Sequence, residues 1–329
     1  MRFQTADLHC DLLDYLRTKP NAHAHERGGI GANLSDLESG KVGLQVMAIY
    51  TATEKGSTQH ALQQSKLFYD LLHDSGSGIV FPAGEINLNQ LEGVRDLYAV
   101  TAIENAAGLC EEDQPLEQAF LNLEKITAQS GKPLYIGFTH HAENRFGGGN
   151  ATQIGLKDDG RELLHHLHNK GIAVDFSHTS DALADGILNH IDLHGLNVPV
   201  LASHSNFRSV FHHPRNLPDA IAQEIIRRGG VIGMNFLRAF LHPTDANCLY
   251  RHMEHGLKLG GEGAICFGAD YFYVDSHPDQ TRKPFFFPEH EDASHYPNIV
   301  QTMINLFGEE AAECMARLNA LQFINRVYF

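Results

Sequence analysis

Thr5-Ala6-Asp7-Leu8-His9-Cys10-Asp11 is the stretch from which the fold can be read, a short β-type run that ends in histidine and aspartate. The same design recurs down the chain. Glu104 closes the apolar run Leu97 to Ile103, His140 follows GFT, His178 ends VDFSHTS, His204 sits in VLASHSN, and Asp270 follows CFGA. Chemistry-bearing side chains at the C-terminal ends of several buried strands are the arrangement of a (β/α)8 barrel, which assembles its active site there around one mouth.

Working outward, eight apolar segments read as strands: 3–9, 42–50, 97–103, 133–139, 172–177, 198–203, 230–236 and 264–269. Helical patterns separate them. Asn216-Leu217-Pro218-Asp219 opens AIAQEIIRR and Gly229-Gly230 closes it; Asp158-Asp159-Gly160 opens RELLHHLHNK and Gly171 closes it. Alternating strands and helices imply a parallel sheet, and unbroken apolar runs suit strands buried on both faces. The expected architecture is therefore α/β, a single (β/α)8 TIM barrel over 1–329. Two segments depart from the rhythm. Residues 274–297 carry four prolines and three consecutive phenylalanines with little periodicity, which predicts a lid or a subunit contact. Residues 298–329 read as two C-terminal helices with Gly308-Glu309 between them.

A chain of 329 residues with 43% hydrophobic content can bury one large core. Its 25 basic against 40 acidic residues give a net charge of −15, which argues against tracking nucleic-acid phosphates and suits a protein that concentrates cations. The five cysteines are scattered, with no CxxC pair, so neither a disulfide framework nor a thiolate zinc site is indicated. No apolar stretch approaches eighteen residues, and the N-terminus lacks a basic segment followed by an apolar run. The expectation is a cytoplasmic protein without a membrane partner. Whether it self-associates is left open.

In a regular strand Asp7, His9 and Asp11 share one face, so an imidazole and a carboxylate two residues apart can reach one metal ion. A lone HxD is more often a solvated loop. Repetition at other strand ends changes the balance, because burying Glu104 without a cation or donor would cost several kcal/mol. His178 and His204 add two imidazoles on neighbouring strands. The set is nitrogen- and oxygen-rich, of the kind that holds zinc, and a glutamate can bridge two ions.

The block PVLASHSNFRSVFHHPRNLPD, together with the HxD and the strand-end residues, resembles the membrane dipeptidase (renal dipeptidase) family of zinc metallopeptidases, a branch of the amidohydrolase-type barrels. The likeness extends over nearly the whole chain. It implies a dipeptidase with two Zn2+ per chain: His9, Asp11 and Glu104 on one, and Glu104, His178 and His204 on the other. It implies that Asp270 handles protons and His140 contacts the substrate carbonyl oxygen, with His141 the neighbouring alternative. Arg215 would bind a substrate carboxylate, and Asn144 belongs to the same substrate-binding group. Where relatives commonly read D-F-D-G, this chain has Asp270-Tyr271-Phe272-Tyr273, which puts aromatics in place of a second acid and a glycine. That departure keeps a related amidohydrolase in view, acting on an N-acyl amino acid, a lactone or another small amide. A catalytically silent binding barrel is the third reading.

Further histidine clusters read more plainly. His165, His166 and His168 lie in a charged helical stretch and read as a solvated helix face. His23 and His25 read as a polar loop, and His252-Met253-Glu254-His255 falls one residue short of an H-x-x-E-H motif.

Overall fold

The computed structural model describes residues 3–82, 84–86 and 97–329; residues 1, 2, 83 and 87–96 of the expected 1–329 span lie outside the described residues. Among the described residues nine parallel strands form one sheet: β1 Thr5–Cys10, β2 Val42–Tyr50, β3 Ile79–Val80, β4 Leu97–Glu104, β5 Tyr135–Gly137, β6 Ala173–Asp175, β7 Val200–Leu201, β8 Ile232–Met234 and β9 Ile265–Phe267. Their order is β7-β6-β5-β4-β2-β1-β9-β8, with β3 added outside against β4. A bridge between Ala202 and Ile232 joins the two ends, with Ala202 N–H donating to Val231 O and Gly233 N–H to Ala202 O. The eight-stranded ring is thereby closed, and all eight predicted segments are in it. The short β3 was not foreseen, because two apolar residues between Gly78 and Phe81 carry too little periodicity to mark a strand.

The ladders stop before the apolar runs do. Segment 133–139 pairs only over Tyr135–Gly137, and 172–177 only over Ala173–Asp175. The residues beyond leave the sheet at the barrel rim and carry the candidate site. Ala6, Leu8, Leu44, Val46, Val100, Ala102, Tyr135, Ala173 and Leu201 form one buried cluster with Leu321, Phe323 and Ile324. This is the barrel interior, floored by the last helix, Asn319–Tyr328. A larger cluster lies between the strands and the surrounding helices.

The pairing of β1 with β2 shifts register between Asp7 and Cys10, which breaks the strict alternation expected of this strand. Leu8 joins the interior, while Asp7 turns away from the site. Its Oδ2 accepts from the Tyr296 hydroxyl and, at 2.9 Å, from Ala269 N–H; its Oδ1 accepts from His9 N–H and Gln45 Nε2, each at 2.9 Å. Asp7 is thus a fixed packing hub and not a companion of His9 and Asp11 at the mouth.

Helix punctuation follows the sequence closely. The helix Asp219–Arg227 starts after Pro218, and Gly229 follows with φ 72°. Ser180 caps Asp181–His194 by accepting from Leu183 N–H at 2.9 Å. The helix opened by Asp158 ends at Leu167, short of Gly171, with Asn169 in the left-handed region at φ 61°. The C-terminal region is more divided than two helices: Tyr296–Phe307, Glu309–Glu313, a π turn at Cys314–Leu318, and Asn319–Tyr328.

Close approach of backbones sets a limit at the rim. A Cβ on Gly268 would lie 1.9 Å from Ser203 O, and one on Gly233 would lie 2.0 Å from the same oxygen. Neither contact is relieved by rotating a side chain. Gly268→Ala should therefore lower the unfolding free energy by about 1–3 kcal/mol, the usual cost of overpacking. Gly263→Ala, whose Cβ meets nothing within 4 Å, is the matched control. Urea unfolding of both variants checks this; equal midpoints would show that the rim can relax.

Candidate metal centre

Two ladder ends bring the site together. At the β1–β9 junction, Asp270 N–H donates to His9 O at 3.2 Å and Asp11 N–H to Tyr271 O at 2.9 Å. That zipper sets His9, Asp11 and Asp270 side by side. Across the ring, Glu104 ends β4 and its register partner is Tyr50. His178 and Asp270 both adopt left-handed backbone, φ 66° and 64°, a conformation that costs a non-glycine residue about 1–3 kcal/mol and collects at functional sites.

The Glu104 carboxylate divides its two oxygens between two groups. Oε1 lies 2.9 Å from His178 Nε2 and 3.4 Å from His204 Nε2. Oε2 lies 3.3 Å from His9 Nε2, which is in turn 3.7 Å from Asp11 Oδ1 and 3.8 Å from Asp270 Oδ1. His178 and His204 approach each other at 2.9 Å through their Nε2 atoms. All these residues are buried.

Three carboxylates around one imidazole make a strongly anionic hollow. Burial pulls His9 down, but Glu104, Asp11 and Asp270 raise it to about 10. Burial and Glu104 push Asp11 well above the ordinary carboxylate range, and burial raises Asp270 to about 6. Burial also favours a neutral Glu104, yet His9, His178 and His204 hold it well below its usual value. Burial keeps His178 and His204 well below theirs, so both present neutral imidazoles. His9 Nε2 and Asp11 Oδ1 are buried without a hydrogen-bond partner, and both face this hollow. The neutral imidazoles of His178 and His204, the ionised Glu104 and the unpartnered Asp11 Oδ1 fit divalent cations of the zinc type, which would displace the protons held by His9 and Asp11. Two overlapping residue groups could each hold an ion, His9–Glu104–His204 and His9–Asp11–Asp270.

A surrounding layer fixes which histidine nitrogen faces the hollow. Tyr135 OH donates to Leu8 O at 2.9 Å, so toward His9 Nδ1, 2.7 Å away, it accepts. Ser203 Oγ donates to Asp175 Oδ2 at 2.5 Å and accepts from His204 Nδ1–H at 2.6 Å. Both imidazoles therefore turn Nε2 to the hollow, His204 with a free lone pair and His9 with a proton that a cation would displace. The sequence reading missed Tyr135, Asp175 and Ser203; Asp175, a buried acid at the end of β6, was the visible signal.

A cavity of about 210 Å³ opens over the centre. Asp11, Glu104, His178 and Asp270 form its floor. Tyr50, His140, His141, Leu237, Phe240, Phe272, Tyr273, His277 and Arg282 also line it. His140 is held neutral, burial and His141 lowering it to about 3, and its Nε2 lies 3.9 Å from Glu104 Oε1. His141 is exposed and tied to Asn150 Oδ1 at 3.0 Å. Arg215 lies one layer behind the wall, at 3% exposure, against the Phe240 ring. It donates to Ser205 Oγ at 2.7 Å and His204 O at 2.9 Å, and its buried Nε has no hydrogen-bond partner.

Asn144 is a correction to the sequence reading. Its Nδ2 donates to Asn105 Oδ1 and Phe138 O, and its Oδ1 accepts from Phe146 and Gly147 N–H. The amide is consumed in stapling the loop after β5, which leaves nothing for a substrate. The segment 274–297 packs against the barrel through buried Phe285, Phe286 and Phe287 and sends His277, Pro278 and Arg282 to the cavity.

Comparison with known proteins places this architecture. The profile of the membrane dipeptidase family, peptidase family M19, matches residues 1–328. The chain belongs to that family. A Schizosaccharomyces pombe protein described as an uncharacterized dipeptidase is 29% identical over 174 residues, 50% of this chain and 39% of that protein, so the match spans well under half of the curated relative. A solved metallopeptidase of family M19, dipeptidase AC, superposes with TM-score 0.83 at 18% identity, covering 100% of this chain and 99% of that one. A Rhodobacter sphaeroides metallopeptidase, liganded with a phosphinate mimic of L-Ala-D-Ala, gives TM-score 0.80 at 18% identity, with 99% and 100% covered. Identities this low speak for the shared barrel alone. In this M19 chain the centre rests on Tyr135 and on the Ser203–Asp175 pair.

Tyr135→Phe removes the acceptor for His9 Nδ1–H while keeping the ring. Metal affinity should fall about 10–100-fold, the usual effect of losing such an orienting partner. Competition against a chromophoric chelator measures it; unchanged affinity would show that packing alone orients His9.

Proposed function

We propose that this M19 protein is a dinuclear zinc dipeptidase, carried by one observation: Glu104 turns one carboxylate oxygen to His9 and the other to His178 and His204. His9, Asp11 and Glu104 would hold one ion and Glu104, His178 and His204 the second. Zinc at these positions would supply Lewis acidity toward an amide carbonyl and hydroxide at neutral pH.

The remaining chemistry belongs to the chain. Asn235 Nδ2 holds Asp270 Oδ2 at 2.7 Å, which leaves Oδ1 toward the hollow. There Asp270 takes the proton of the attacking water and returns it to the departing amine. His140, neutral, donates its N–H to the carbonyl oxygen as negative charge develops, a contact worth about 3–4 kcal/mol. Once a substrate displaces the Phe240 ring that covers it, Arg215 would offer its remaining N–H groups to the substrate carboxylate, charge-assisted and planar. The cavity is smaller than the roughly 300–1,000 Å³ that hold drug-sized ligands, which favours a substrate of two residues. The aromatic wall of Phe240, Phe272 and Tyr273 supports a second reading, an N-acyl amino acid with an apolar acyl group.

Turnover of a dipeptide library, N-acyl amino acids and lactones by zinc-reconstituted protein tests the proposal; no dipeptide cleavage would overturn it. Elemental analysis should find at least about two zinc ions per chain, as a bridging glutamate implies. Asp270→Asn should keep most of that metal while kcat falls by about 10²–10⁴, whereas Glu104→Gln should lose metal and activity together. Equal metal retention in the two variants would contradict these roles.

Arg215→Ala should lower kcat/KM for a free dipeptide by roughly 10–200-fold, the loss of a charge-assisted contact. The C-terminally amidated dipeptide should be poor for the wild type and nearly indifferent to the substitution. The four kcat/KM values form a double cycle; equal harm to both substrates would make Arg215 purely structural.

A further inference from the structure

We propose a second metal site on the outer surface, built by His165, His190 and His194 and taking a single transition-metal cation of the zinc, copper or nickel class. His165 lies near the end of the helix Asp158–Leu167, and His190 and His194 stand four residues apart on the helix Asp181–His194. A spacing of four puts two side chains on one helix face. The neighbouring helix supplies the third.

The ligand atoms of the three histidines lie within 4.8 Å of one another. His165 and His190 Nε2 are 3.1 Å apart, and the ring centroids are separated by 5.0, 5.1 and 4.3 Å. Zinc–nitrogen bonds of about 2.0–2.1 Å require nitrogens at this kind of separation. An all-imidazole set suits zinc, copper or nickel and disfavours calcium or magnesium. Burial, with His194 and His165, keeps His190 below its ordinary pKa, so a neutral ligand is available. Arg161, whose charge is felt at His190, is engaged by Asp158. His165 and His194 are exposed, so an ion enters directly from solvent and keeps an open coordination position.

Helices of a barrel run back from the mouth, and these histidines lie toward the C-terminal ends of theirs. The site therefore sits at the opposite end of the barrel from Glu104. Its ion would clip together the two helices that flank β6, the strand leading to His178. Read from the sequence alone, His165 belonged to a solvated face; folding brings His190 and His194 to it.

The test compares zinc-loaded wild type with His190→Ala and, separately, His194→Ala. All three are dialysed against the same series of buffered free Zn2+, and zinc per chain is counted. Wild type should hold one ion more than either variant, and affinity for that ion should fall by more than the roughly 10–100-fold that an outer partner costs. Cu2+ added to the zinc-loaded wild type should show an EPR spectrum with three nitrogen couplings, reduced in both variants. Because the count is a difference between wild type and variant, it stands whatever number of ions the mouth binds. Equal zinc in wild type and variants across the series, with all three melting alike in chelator, would overturn the site.

Discussion

The constraint on which the structure turns is a buried carboxylate that has to stay ionised. Glu104 ends β4 at the centre of the ring, 4% exposed, with three imidazoles around it. Desolvation alone would protonate it. Its ionisation therefore obliges the neighbouring strands to deliver charge or dipoles to one point, and β1, β6 and β7 do so with His9, His178 and His204. Because Asp11 and Asp270 are also there, imidazoles alone do not neutralise the cluster. A bound cation would complete it.

Such a centre tolerates little positional freedom, and the surrounding chain removes it. Tyr135 from the barrel interior fixes His9, and Ser203 with Asp175 fixes His204. The Ser203 carbonyl is wedged between Gly233 and Gly268, where any side chain would collide. The left-handed backbone at His178 and Asp270 turns each side chain inward immediately after its strand. That strain is offset by the packing that holds the strands, as is characteristic of sites built for preorganisation.

Much of this was legible in the residues. Strand ends terminating in His, Asp or Glu disclosed both the barrel and the candidate ligands, since polar groups buried together at one rim need a ligand or an ion to satisfy them. What escaped notice has particular causes. Asp7 shares strand parity with His9, but a register shift after it sends it to Tyr296 and Ala269, and a shift of register leaves no mark in composition. Asn144 sits beside histidines that reach the cavity, yet its amide closes a loop whose geometry depends on Phe138, Phe146 and Gly147. Tyr135 reads as one more apolar strand residue until the ring closes and places its hydroxyl under His9. The trio of His165, His190 and His194 joins two helices, and pairwise helix packing is not encoded in either helix alone.

The aromatic replacement after Asp270 resolves into separate roles. Tyr271 is buried, its hydroxyl donating to His290 O at 3.1 Å and its ring against Phe236 and Phe286. It fastens the segment 274–297 to the barrel. Phe272 and Tyr273 face the cavity, with Tyr273 edge-on to Tyr15. An acid and a glycine at Phe272 and Tyr273 would leave this wall open and charged; two aromatic rings make it apolar and narrow. Phe272 and Tyr273 therefore shape the cavity wall, while Asp270 beside them keeps its Oδ1 3.8 Å from His9 Nε2. With Asp14, His277 and Arg282 also at the mouth, the outer wall of the cavity comes from the cover and its floor from the strand ends, so each can vary without disturbing the other.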